Sequence, residues 1–234
     1  MINSETITTT HVAAAHFCNL VLAEIECGKQ PRVLVAGCGT AHEALYIFET
    51  LRGWTTGIDI EQHWDSDTAT SHPNFNLLQG SLLNLPFESK SFDFVFYHHV
   101  IEHVSDPRKS LSEISRVLVN KGLLYVGTPN RHRLIGYLGG FNVSTKQKLL
   151  WNLTDYRHRV LRRFENHYGA HAGFSQKEMT KMLSENYSSI QNLTINYFQY
   201  KYGRQIPKSF HKVIEKTFLK EVLPASVYFT ARSN

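Results

Sequence analysis

Short apolar runs alternate along the chain with longer stretches of helical spacing. Val33, Leu34, Val35 and Ala36 form a brief run of the kind a strand buried on both faces requires. Gly37-Cys38-Gly39 follows at once. From Ala41 to Leu51, the residues Ala44, Leu45, Ile47, Phe48 and Leu51 share one side of a helix. The stretch Arg32 to Leu51 therefore predicts strand, glycine turn and helix. Before it, His11 to Cys27 predicts an amphipathic helix with Ala14, Phe17, Val21, Leu22 and Ile25 inward, ended by Gly28 and Pro31.

The same alternation continues. Trp54 to Ile60 predicts a second strand and Phe75 to Leu78 a third, with Glu61 to Asn74 polar, irregular and short for a crossover helix. Ser91 to Tyr97 predicts a fourth strand. Asp106 is a helix N-cap with Pro107 at the first helical position, and that helix runs to about Val119. Asn120-Lys121-Gly122 predicts a turn, and Leu123 to Gly127 a fifth strand. Strands that alternate with helices make a parallel α/β sheet.

Beyond it, Thr128 to Phe174 is long, rich in Arg, His, Tyr and Trp, and broken by Gly136 and Gly139-Gly140, with helical potential from Thr145 to Arg163. Ser175 and Glu178 form a capping box before Met179, Met182 and Leu183. Ile190 to Tyr200, apolar and aromatic, predicts a sixth strand. Lys201 to Leu223 is a basic connection, and Ser226 to Ala231 a final strand. There is no internal repeat, low-complexity tract or linker, so residues 1–234 are expected to form a single domain.

Composition narrows the class. At 234 residues with 42% hydrophobic content, a sizeable core is available. The three cysteines, Cys18, Cys27 and Cys38, make neither an even disulfide framework nor a C-x-x-C pair, which favours a reducing compartment, the cytoplasm. No basic n-region with an apolar core opens the chain, and no apolar run is long enough to span a membrane. The formal charge of +5 suits an anionic small substrate or an ordinary surface, and nucleic acid is not expected as a partner.

The chemistry is expected where the strands end. The glycine turn after the first strand suits a phosphate or nucleoside, because glycine permits tight backbone and close ligand approach. Such a turn serves dinucleotide oxidoreductases and methyltransferases alike, and His42 stands where the third glycine of G-x-G-x-x-G would fall. Asp59, twenty residues after Gly39 at the end of the second strand, can accept from both hydroxyls of a ribose, with Ile60 beside it. Ser81 and Leu82 are placed to flank an adenine. Tyr97 and His98 end the fourth strand and are candidates to line the pocket, Tyr97 being equally suited to the core. His99, Glu102 and His103 follow. If Val100 to Val104 is helical, these three share a face.

VLVAGCGTA, GIDI and LPFESKSFDFVFYHHVIEHVSDPRKSLSEISRVLVNKGLLYVGTPN, in that order, resemble the class I S-adenosylmethionine-dependent methyltransferases, in particular the small-molecule branch that includes the ubiquinone-biosynthesis O-methyltransferases. The resemblance covers roughly Pro31 to Asn130. It implies a doubly wound, Rossmann-like seven-stranded sheet with helices on both faces. Thr128 to Phe174 would be a helical substrate-cap insertion, and the last strand would be antiparallel. It implies S-adenosyl-L-methionine as cofactor, held by Gly37, Cys38, Gly39, Asp59, Ile60, Ser81, Leu82, Tyr97 and His98. The family usually carries an acid where Ala36 stands, often a third glycine where Ala41 stands, and an Asp where Ser81 stands; cofactor contacts there would be weaker or made by backbone groups.

The expected activity is methyl transfer to a small molecule, at oxygen, with His103 as general base and His99 second. The insertion and the amino-terminal helix would form the acceptor pocket. Arg157, Arg159, Arg162 and Arg163 suit either an acid group or a solvated helix face. Four other readings compete. The changes at Ala36 and Ser81 suit an inactive cofactor-binding module. The glycine turn suits a nicotinamide oxidoreductase. Glu102 and His103 could instead fix the local backbone, or hold a divalent metal as in some relatives with two acids and a His here, joined by His167 and His171. No dedicated metal ligand is assigned, and the oligomeric state is not legible.

Overall fold

Seven strands form one mixed sheet in the order β3-β2-β1-β4-β5-β7-β6. They are β1 (Arg32–Ala36), β2 (Trp54–Asp59), β3 (Phe75–Gln79), β4 (Phe92–His98), β5 (Leu118–Pro129), β6 (Tyr187–Asn192) and β7 (Ser226–Ser233). A computed structural model of the chain describes residues 11–26, 28–64, 72–136, 144–161, 172–203 and 205–234. Cys27, Gly139-Gly140, Arg162, Arg163, His167, His171 and the Arg159 side chain lie outside what the structure describes.

β1 to β5 run parallel, and β7 runs antiparallel to both β5 and β6. β1 shows why the central strands are apolar throughout. Leu34 and Ala36 pack on one face of the sheet, Val33 and Val35 on the other. The first face is covered by α3 (Pro107–Val117) and α5 (Gln176–Leu183), the second by α1 (Val12–Glu24), α2 (His42–Leu51) and α6 (Thr194–Tyr202). The remaining helices are α4 (Thr145–Val160), α7 (Lys208–Lys216) and α8 (Leu219–Val222). The expected α/β sheet with helices on both faces is the one observed.

Local signals placed the helix starts. The Asp106 side chain accepts from Lys109 N at 3.0 Å with Pro107 in the first turn, and Ser175 and Glu178 make their reciprocal capping bonds. Three expectations need correction. The sixth strand is Tyr187–Asn192, and most of Ile190 to Tyr200 is helix α6. Its Tyr and Phe content suggested a strand, but Thr194, Tyr197, Phe198, Lys201 and Tyr202 recur at helical spacing and face one cavity. The turn expected at Asn120-Lys121-Gly122 is an irregularity inside β5, where the register against β4 shifts and Lys121 takes a φ of +62°. Leu22, expected inward, is half exposed.

Candidate functional site

From β1 the chain winds outward to β3 and then returns to β4, so the carboxyl ends of β1 and β4 diverge and leave a crevice. A cavity of about 780 Å³ fills it. Gly37, Cys38, Gly39, Asp59, Ile60, Ser81, Leu82 and His98 all line this cavity, as do His99 and His103. Tyr97 does not. It is fully buried, its hydroxyl 3.1 Å from Ser110 Oγ, because successive strand residues face opposite sides and Tyr97 points toward α3.

The glycine turn is held by backbone. Gly37 N and Cys38 N donate to Ile58 O at 2.8 and 3.0 Å, tying the end of β1 to β2. Gly37 has a φ of +74°, and an added Cβ would lie 2.4 Å from the Val100 side chain. Gly39 has a φ of +50°, but an added Cβ there meets nothing within 4 Å. The turn is thus tight at Gly37 and open toward the cavity at Gly39. Asp59 spans the opening: Oδ2 accepts from Gly39 N at 2.8 Å, and Oδ1 accepts from Glu61 N at 3.3 Å. Each oxygen keeps a lone pair for a ligand hydroxyl. Cys38 is packing, not a nucleophile. Burial, and then the charge of Asp59, push its thiol up to about 12.

The β4 end carries two histidines with different surroundings. His98 is locked. Its Nδ1 lies 3.1 Å from Glu43 Oε2 and its Nε2 3.1 Å from the Tyr228 hydroxyl. Burial opposes the charge on Glu43, but the neighbouring His98 outweighs it and holds the carboxyl below its usual range. A carboxylate only accepts, so His98 Nδ1–H donates to Glu43.

His99 takes a left-handed φ of +54° where the chain leaves β4, before the short 3₁₀ turn Ile101–His103. Glu102, 1% exposed, sits beneath it and His103, whose side chains are 38% and 43% exposed. Glu102 Oε2 accepts from Thr128 Oγ1 at 3.0 Å. Oε1 is 3.4 Å from His99 Nδ1 and 3.9 Å from His103 Nε2, longer than well-formed hydrogen bonds. Burial works against the Glu102 charge, yet His99 outweighs it and lowers its pKa. Burial and the His98 charge, opposed by Glu102, hold His99 below 6.5. His99 is therefore a neutral ring at pH 7, with Nδ1–H toward Glu102 and its Nε2 lone pair 3.1 Å from Ser226 Oγ. Among the described residues no group of three or more His, Cys, Asp or Glu is arranged to hold a metal.

A second cavity, about 230 Å³, adjoins the first through Glu43, His98 and His99. Its other walls come from α1, α6 and the start of β7, including Val12, Ala13, Tyr197, Lys201, Ser226 and Tyr228. Buried Asn130 fixes the β7 side by donating to Glu221 O and Pro224 O at 2.7 and 2.9 Å. His11, the residue before α1, lines the larger cavity and Val12 and Ala13 of α1 line the second, whereas none of the described residues in 128–174 lines either one. Sequence reasoning missed Glu43, Lys201, Ser226 and Tyr228. The helical spacing of α6 was a usable signal for Lys201. Nothing local marks the other three, which come from α2 and β7 to a site at the end of β4.

Residues 34–126 match a family model described as a methyltransferase domain. A probable S-adenosylmethionine-dependent methyltransferase of Mycolicibacterium smegmatis is 35% identical over 99 residues, 42% of this chain and 38% of that protein. The demethylmenaquinone methyltransferase of Staphylococcus epidermidis is 29% identical over 109 residues, 44% of this chain and 45% of that protein. The chain thus spans less than half the length of these relatives. Among solved structures, the plantazolicin methyltransferase BpumL, in complex with a triazolic desmethyl analogue and S-adenosylhomocysteine, superposes with a TM-score of 0.63 at 18% identity, covering 99% of this chain and 87% of that one. The fold is the Rossmann-like one of these methyltransferase structures, and the match to the methyltransferase-domain model covers residues 34–126.

Proposed function

We propose that this chain is an S-adenosyl-L-methionine-dependent methyltransferase that acts on a small molecule, at oxygen. The observation that carries the reading is the rim of the larger cavity. Gly39 leaves space where a side chain would stand, and the Asp59 carboxylate lies beside it with lone pairs to spare. Those two features fit a nucleoside with free ribose hydroxyls. Gly37, Cys38 and Gly39 would hold the methionine portion, Asp59 and Ile60 the ribose, and Ser81 and Leu82 the adenine. Bound there, the cofactor supplies an electrophilic methyl group whose former bonding pair stays on sulfur.

The residues of this chain then position the acceptor and take its proton. His99 reaches both cavities, is oriented by Glu102 and offers a free-base Nε2. The structure favours it over His103 as the base, because His103 lines only the larger cavity. An acceptor hydroxyl that replaced Ser226 as donor to Nε2 would lose its proton there as its oxygen bonded carbon. Residues 1–234 are read as one domain, with 128–174 inserted between β5 and α5. No helix among the described residues is long and apolar enough to cross a membrane, and the cysteine usage supports the cytoplasm.

Calorimetry with S-adenosylhomocysteine and with NAD tests the reading. The expected result is binding of the first and not the second, with Asp59→Ala weakening it by about 1–3 kcal/mol, the range for a charge-assisted hydrogen bond. Tight NAD binding without S-adenosylhomocysteine binding would favour the oxidoreductase reading. Cofactor binding without transfer to any acceptor would favour the inactive module.

A further inference from the structure

We propose that the second cavity is the acceptor subsite and takes a small aromatic hydroxy acid, its carboxylate paired with Lys201 and its hydroxyl directed to His99. The inference rests on the methyltransferase reading. A cavity of about 230 Å³ admits a single substituted ring rather than a long chain. Its walls are aromatic: Tyr197, Phe198, Tyr202 and Tyr228 contribute, and the Tyr197 and Tyr228 rings stack with centroids 3.8 Å apart. Flat faces of this kind suit a planar ligand.

The charge in the cavity is lopsided. Lys201 is the lone Lys or Arg among its described lining residues, and it is partly buried. Its Nζ lies over the Tyr202 ring, 5.4 Å from the centroid, and no carboxylate among the described residues pairs with it. Burial lowers its pKa. An ammonium held in this way gains from an anionic ligand that desolvates with it. The carboxylate of the cavity, Glu43, is already engaged by His98 at the junction with the larger cavity. A ligand acid is therefore repelled from the junction and drawn to Lys201, which leaves the neutral, hydroxyl-bearing edge of the ring toward His99 and Ser226. This arrangement selects a monoanion with its hydroxyl and carboxylate on different sides of the ring.

The experiment uses the full chain saturated with S-adenosylhomocysteine, titrated calorimetrically with meta-hydroxybenzoate and with phenol, which has the same ring and hydroxyl but no charge. The expected result is that the acid binds at least about tenfold tighter than phenol, as a partly desolvated ion pair requires. Lys201→Met should abolish that preference, and Lys201→Arg should keep it. S-adenosylhomocysteine affinity in both variants should match the wild type, which also reports that they fold. No binding of the acid to the loaded protein, equal binding of the two ligands, or a preference that survives Lys201→Met would overturn the subsite while the cofactor reading stands. Failure of the first saturation step would overturn the methyltransferase reading, and this inference with it.

Discussion

The two halves of the crevice are built from different materials. On the β1–β2 side, the cavity wall is mostly backbone: a glycine turn, two amides bonded to Ile58 O, and one carboxylate that closes on Gly39. On the β4–β7 side, it is nearly all side chain: Glu43–His98–Tyr228 in one chain of contacts, and Glu102–His99–Ser226 in another. A backbone wall suits the invariant parts of the proposed cofactor, because its hydrogen bonds do not depend on which side chains stand there. A side-chain wall can be recut one residue at a time, which suits it to a particular acceptor.

The sharpest break in that comparison comes at His99, where the halves meet. His99→Ala is expected to slow methyl transfer about 10²–10⁴-fold, the usual contribution of a general base. His103→Ala should slow it much less. Transfer from radiolabelled S-adenosylmethionine to a panel of hydroxylated benzoates, with bound metal assayed on the same samples, gives the readout. The wild-type pH–rate profile should lose activity only as pH falls below 6.5, because burial and His98 keep His99 deprotonated down to that point. Wild-type rates in both variants, with no metal present, would remove both histidines from the proton transfer. Loss with a chelator and recovery with a divalent ion would replace the base by a metal.

Gly37→Val attacks the backbone half. A side chain there requires a left-handed residue to accept a β-branched group and pushes a Cβ into Val100. Strain and overpacking together should cost at least about 2 kcal/mol of folding stability. Urea unfolding measures it, and S-adenosylhomocysteine binding should fail in whatever fraction folds. Gly39→Ala, with its Cβ in open space, is the control: it carries only the left-handed backbone cost of about 1–2 kcal/mol, less than Gly37→Val, and should weaken the cofactor. Equal destabilisation by the two would mean that the turn does not divide into a packed and an open glycine.

The same division explains what could be read in advance. The backbone half was legible because its parts are close in sequence: Val33 to Gly39 is one strand and turn, and Asp59 ends the next strand. All eight of the expected cofactor residues other than Tyr97 line the cavity, and Tyr97 was misplaced by the strand alternation that sends it to α3. The side-chain half was not legible. His99 meets Ser226 across a separation of 127 residues, and His98 meets Tyr228 across 130. Only the final antiparallel strand brings them together. Lys201 was hidden for a different reason, because α6 was read by its aromatic composition rather than by its period. The insertion at 128–174 drew attention by its arginines, yet its described part surrounds a separate apolar cavity with Leu134, Leu149 and Tyr156.

The smallest expected effect concerns how the side-chain half is fastened. His16 of α1 is buried, its Nε2 2.7 Å from Asn196 Oδ1 and its Nδ1 2.9 Å from the Tyr125 hydroxyl. It thus ties α1 and α6, two walls of the second cavity, to β5. The Asn196 oxygen accepts, so Nε2 carries the proton and Nδ1 accepts from Tyr125. Protonating Nδ1 would set a second donor against that hydroxyl and leave a charge buried. Burial, opposed by Asn196, accordingly lowers the pKa of His16 from 6.5. The folded protein then binds fewer protons than the unfolded chain in the window just below pH 6.5. The contribution of His16 to stability is complete above that pH, declines as pH falls through it, and levels off below the lowered folded value. Urea unfolding at about pH 7.5 and about pH 5.5 brackets the window. His16→Gln keeps a donor and an acceptor but cannot titrate, so it should lose less stability than the wild type between the two conditions. Its separate cost at the higher pH reports the hydrogen bonds alone. Equal losses in the two proteins would show that His16 stays out of the titration, and that the roof of the second cavity is held by packing.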